Sequence, residues 1–496
     1  MSLSKTAIAI FVIAAAARAE VRLSSLITDH MVIQRGLPVH VWGKAAPAEP
    51  VNVAFRNHSA STVTDELGRW SVYLDPGDAG GPFELTVKGS NTITVRDVLV
   101  GDVWIASGQS NMEWPLERAQ NAQAEVAAAT NPRIRLFHLK NKTAYYPLEE
   151  ADADGPWAEC KPETAGKFSA VAYFFGRYVN QKLNVPVGLI STNWGGTPAD
   201  AWTSLNGISS DPALMPVFSE WAKMTNDHST TLLRREKQMR EYEAAKAKAK
   251  EEGKPEPPYP WAPNLDNSWM PSGLFNAMIA PLTKFPIKGA IWYQGESNAG
   301  NERAPLYARL FGTMIRDWRR AWGQGDFPFF FVQLANFKTG GSWPELREAQ
   351  LQTLALNNTG MAVSIDIGNP DDVHPRNKQD VGLRLGLAAQ AIAYGEKIEY
   401  SGPLYRLTVP EGNTLRVWFD HADGLMAKGA RPQSFEIAGA DRKYVEAEAH
   451  IDGQTVVVSS PSVPAPVYVR YGWSDNPSCN LYNGAGLPAS PFRSAP

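Results

Sequence analysis

Ser110 and His374 are the two residues whose surroundings in the chain suit nucleophilic acyl transfer. Ser110 sits in the polar pentapeptide Gly108-Gln109-Ser110-Asn111-Met112, directly after the apolar, β-branched run 98–107. Such a run reads as a buried strand, and open α/β sheets keep their reactive groups just past the carboxyl ends of strands. There a hydroxyl reaches solvent while the amides of the turn face the same space. A serine hydroxyl needs a base to take its proton, a group to orient that base, and donors for the developing oxyanion.

Of the eight histidines, His30, His40 and His58 lie in an N-terminal β region, and His421 and His450 in a C-terminal one. His138 follows an apolar strand, as a satisfied structural residue would, and His228 stands at the edge of a charged arm. His374 has the best setting. It lies in Asp371-Asp372-Val373-His374-Pro375, past a late strand and ahead of an Ala/Leu-rich helix. An Asp two or three residues before a His can set the imidazole tautomer and stabilise its cation. Asp371, with the three-residue offset, is preferred; Asp372 would suit a more extended loop. Whichever is not used reads as a helix cap or turn carboxylate.

Two turns offer oxyanion donors. Thr192-Asn193-Trp194-Gly195-Gly196-Thr197-Pro198 follows the strand-like run 187–190, and adjacent glycines let backbone approach a ligand closely. Gln294-Gly295-Glu296-Ser297-Asn298 follows the run 289–293, where the Gln294 side-chain amide is a sound donor and Glu296 braces the loop. Trp114, Trp194 and Trp292 flank these turns and could stack a pyranose ring, although each taken singly better suits core packing. The chain has no Gly-x-Ser-x-Gly elbow, no cluster with metal-ligand spacing and no Gly-rich phosphate loop. Hydrolysis without metal or cofactor is therefore expected.

The elements that must position these residues follow from hydrophobic rhythm. Residues 20–97 show short β-rich runs between Gly, Pro and Asp turns, as in a sandwich. From 98 to 397 the strand-like runs 134–137, 187–190, 289–293, 327–332 and 361–365 alternate with helix-like stretches such as 170–183 and 305–322. That alternation predicts an α/β core, a largely parallel sheet with helices on both faces. Residues 228–257 interrupt it as a charged helical arm with a Pro-rich end, and residues 398–496 return to β.

Composition narrows the class of protein. With 44% hydrophobic and 20% charged residues, the 496-residue chain is an ordinary globular protein of several domains. A net charge of −3 without a free-standing basic block argues against a nucleic-acid partner. Residues 1–19 read as an export leader: Lys5, an apolar stretch 7–17, and Ala17-Arg18-Ala19 before Glu20. A secreted or periplasmic mature chain is expected, and no run is long enough to span a bilayer. Export permits a disulfide between Cys160 and Cys479, but their spacing leaves pairing open.

Taken together, these blocks resemble the sialate O-acetylesterase-type family within the wider SGNH (GDSL-like) hydrolase superfamily. The resemblance spans nearly the whole mature chain. It rests on Leu26-Ile27-Thr28-Asp29-His30-Met31-Val32-Ile33-Gln34-Arg35 and Val41-Trp42-Gly43, on residues 108–115, 191–202 and 290–298, and on His374-Pro375-Arg376-Asn377-Lys378. It implies a flavodoxin-like three-layer core with flanking β-rich domains, and removal of acetyl groups from sugar hydroxyls by nucleophile Ser110 and base His374. It also implies an oxyanion site made by the Ser110 amide, a glycine amide of the Gly195-Gly196 pair (Gly195 preferred) and Gln294. The superfamily places its acid three residues before the histidine, but members resembling this chain vary there, which keeps Asp371 and Asp372 both open and allows a Ser–His dyad steadied by backbone. Two rivals remain: an acetylesterase of plant hemicellulose such as xylan or xyloglucan, and a glycan-binding protein that has lost hydrolysis.

Overall fold

The computed structural model describes residues 20–257, 260, 267–300 and 302–495; the expected leader 1–19 lies outside them. One strand organises the first two thirds of the chain. This is β1 (Thr92–Gly108), which is fully buried from Val98 onward. Its first half pairs antiparallel with Gly80–Lys88 and parallel with Val32–Gln34, within the N-terminal β region. Its second half, from Asp102, becomes the middle of a parallel sheet. The boundary drawn between residues 97 and 98 thus falls inside a continuous strand.

The parallel strands are β1, β2 (Asn131–His138), β3 (Val187–Asn193), β4 (Gly289–Tyr293), β5 (Phe329–Val332) and β6 (Thr359–Ala362). They lie in the order β2-β3-β1-β4-β5-β6, with Ala158–Cys160 added antiparallel beside β2. The period-2 alternation of β5 explains why helices cover both faces. Phe330 packs on Trp104 of β1, which meets Phe175 of α2 (Ala170–Leu183). Phe329 and Phe331 point the other way, onto Phe311 of α3 (Ala304–Trp322). Each such fully buried aromatic contributes roughly 2–3 kcal/mol of hydrophobic stabilisation.

The architecture is mixed α/β with additional β-rich sheets. Val41, Trp42 and Phe55 of the N-terminal region share one hydrophobic core with the parallel sheet, whereas Leu415, Val456, Tyr471 and Phe492 of the C-terminal region form a second. The buried Arg347 ties the second to the first, donating to the carbonyls of Leu334 and Ala335 on one side and Ser474 and Asp475 on the other. The charged arm is a 24-residue helix, His228–Glu251. Cys160 is buried in the first core, and both cysteines are unpaired. No helix among the described residues is long and apolar enough to cross a membrane.

Candidate active site

Strand register brings three turns together. Gly108, the last residue of β1, lies opposite Asn193 of β3 on one side and Tyr293 of β4 on the other. The rungs continue past the strand ends: Trp194 N–H donates to the Gly108 carbonyl at 3.1 Å, and Gln109 N–H to the Tyr293 carbonyl at 3.0 Å. Only glycine fits between them. Gly108 has φ +137°, and an added Cβ would sit 2.2 Å from the Tyr293 carbonyl oxygen. Gly108→Ala is therefore expected to cost about 2–4 kcal/mol from strain and overpacking, read as a fall in the urea midpoint.

Past Gly108 the chain turns into α1 (Ser110–Glu113), with Ser110 as its first residue. The Ser110 hydroxyl lies 2.8 Å from Nε2 of His374. His374 arrives on the loop that follows β6, and the Trp114 ring stacks on its imidazole at 5.0 Å and 18°. Burial, and then the charge of Lys378, hold the imidazole pKa below the ordinary 6.5, against a smaller opposing pull from Asp372. The ring is thereby kept neutral and able to accept a proton near neutral pH.

The preference for Asp371 as the orienting acid is corrected. Its side chain is 83% exposed and lies 3.7 Å from Lys338. Asp372 is the nearer carboxylate. Its Oδ1 accepts the His374 backbone N–H at 2.9 Å and stands 3.6 Å from Nδ1, too far for a hydrogen bond to the ring. Asp372 holds the histidine's backbone, and Trp114 holds its plane.

The expected oxyanion donors also need revision. Gln294 is fully buried, and its amide is already committed: Nε2 donates to the Thr197 carbonyl and to Asn298 Oδ1, and Oε1 accepts from Tyr307. It braces two turns against α3 and offers nothing to a ligand. Gly195 does press against Ser110, since an added Cβ would lie 3.3 Å from Ser110 Cβ. Its N–H, however, donates to Glu113 Oε2 at 2.6 Å. Gly196, at φ +74°, has no acceptor for its N–H among the described residues. Trp292 is core, boxed by Trp202, Phe311 and Trp318, and Trp114 is spent on His374. Trp114 and Trp194 are both partly exposed, and of the two only Trp194 is not stacked on the histidine.

Sequence reasoning missed Glu113, Asn111 and Lys378 as parts of this site. Glu113 carried a usable signal, since three residues after Ser110 is one helical turn. Its carboxyl pKa is raised by burial. Beside these turns opens a cavity of about 690 Å³ lined by Trp269, Arg303, Trp343, Glu296 and Ser297 among others. Trp269 Nε1 joins its wall to the glycine turn by donating to the Gly196 carbonyl at 2.7 Å. Far from here, His30, Asp97 and Glu159 bring ligand-type atoms within 4.8 Å of one another, but the Arg135 guanidinium pairs with both carboxylates and fills the need for a cation.

Comparison with known proteins places the chain in a family. The carbohydrate esterase, sialic acid-specific acetylesterase family matches residues 100–233 and 262–393. The sialate O-acetylesterase of Rattus norvegicus is 32% identical over 95% of this chain and 94% of its own. That of Homo sapiens is 31% identical over 95% and 92%. The crystal structure of a carbohydrate acetylesterase from Xanthomonas citri is similar at a TM-score of 0.83 and 39% identity, covering 96% of this chain and 99% of that one.

Proposed function

This chain belongs to the carbohydrate esterase, sialic acid-specific acetylesterase family and is a carboxylic ester hydrolase, and from that premise we propose that it removes O-acetyl groups from sugars in the manner of a sialate O-acetylesterase. The observation that carries the mechanism is the 2.8 Å contact between Ser110 Oγ and His374 Nε2. His374 takes the hydroxyl proton as Ser110 attacks the acetyl carbonyl. The tetrahedral intermediate collapses, and His374 returns the proton to the departing sugar oxygen. Water, deprotonated by the same imidazole, then attacks the acetyl-serine and releases acetate. The oxyanion rests on the amides of Ser110 and Gly196. The first is the opening N–H of α1, which has no intrahelical acceptor, and the second is uncommitted among the described residues.

The sugar itself lies in the cavity walled by Trp269 and Arg303. The six parallel strands and their covering helices form an SGNH-type core, with 20–97 and 398–496 as flanking β modules. Residues 1–19 direct export. Acetate release from a panel of O-acetylated sialosides, acetylated xylan and acetylated xyloglucan tests the reading. Release from a sialoside is expected. Release from the hemicelluloses alone would move the substrate class, and glycan binding without any acetate release would make the protein a binder.

A further inference from the structure

Among the described residues no carboxylate lies within hydrogen-bond distance of the His374 ring, yet a polar trio outside the reacting pair, with Asn111 and Lys378 buried and Glu296 half-buried, reaches its loop. Asn111, next to the nucleophile and 1% exposed, donates from Nδ2 to Glu296 Oε1 at 2.6 Å and to the Val373 carbonyl at 3.0 Å. Its Oδ1 accepts from Lys378 Nζ at 2.5 Å. A backbone carbonyl can only accept, so the contact with Val373 fixes which way the Asn111 amide faces and turns its oxygen to Lys378. The amide then grips the carbonyl of the residue immediately before His374.

Lys378 breaks two local rules to be there. It is fully buried, and it is the first residue of α4 (Lys378–Ala388), at the positive end of the helix dipole. Its Nζ also lies 5.2 Å from the Tyr293 ring centre and 5.9 Å from that of Trp114, the ring stacked on His374.

We propose that Lys378 and Glu296, acting through Asn111, form a clamp that sets the distance between Ser110 and His374 and takes over the positioning role of a triad acid. The clamp rests on the Ser–His reading above. All three are positioning residues. Lys378 is pulled down to about 7 by burial, while Glu296 and Asp372 oppose that shift. The charged groups that His374 feels are Lys378, which lowers its pKa, and Asp372, which raises it.

The test is Lys378→Met, assayed with a small aryl acetate across pH. Because small misplacements of reacting groups cost up to about 100-fold, kcat is expected to fall about 10–100-fold with KM within about twofold. The acid limb of kcat/KM should also move to higher pH, since a cation beside the imidazole has gone. Wild-type kcat with an unmoved limb in the folded variant overturns the clamp. If Lys378→Met does not fold, Asn111→Ser keeps both charged groups and loses the grip on Val373; the same fall in kcat supports the clamp, and unchanged kcat overturns it. Failure of both to fold makes the trio fold-holding and likewise overturns it. Full turnover by Ser110→Ala would instead sink the underlying Ser–His reading, so the two failures are separable.

Discussion

Ser110→Ala is expected to lower kcat for an aryl acetate by about 10⁵-fold or more, while the thermal unfolding midpoint stays near that of the parent chain. In serine hydrolases the nucleophile and base act as a unit, and losing either leaves only what binding and the oxyanion donors supply. The stability half of the expectation comes from the contact pattern. Among the described residues, His374 is the only side chain the Ser110 hydroxyl bonds to. Removing one partly exposed oxygen therefore opens no buried polar vacancy and leaves the Gly108 rungs untouched. A folded Ser110→Ala variant that hydrolyses the ester at the parent rate would remove Ser110 from the mechanism.

His374→Ala should cost about 10⁴-fold or more in kcat/KM for the same reason, and its pH profile adds a second readout. In the parent chain the imidazole must be neutral to accept the Ser110 proton. Its pKa is held below 6.5 by burial and by Lys378. The rate should be level through neutral pH and fall as acid protonates the ring, with the midpoint of that fall below 6.5. In His374→Ala this acid limb should vanish, and added imidazole should restore part of the activity. An acid limb that survives the substitution unchanged belongs to another group.

Much of this site was legible before the fold was known. The run ending at Gly108, the glycine turn after β3 and the polar turn after β4 each follow a buried strand, and strand patterning is local. The helical stretch expected at 170–183 coincides with α2. What misled was choosing among chemically equal neighbours. Asp371 and Asp372 differ by one residue, and the loop's path alone turns the first outward to Lys338 and the second toward His374. Gln294 has the right donor, but Thr197 and Asn298 had already claimed it, while Tyr307 on α3 donates to its oxygen. Gly195 comes as close as glycine allows, yet Glu113 holds its amide.

The amino-acid order by itself determined the reagents, an alcohol and an imidazole, and the strand ends that carry them, because side-chain chemistry and two-residue periodicity need no distant partner. Tertiary packing alone decided which amides stay free, which carboxylate meets the histidine, and that Lys378 lies buried against Asn111. Those outcomes are competitions among hydrogen-bond partners far apart in the chain. Each is settled by which group reaches a donor first once water has been excluded.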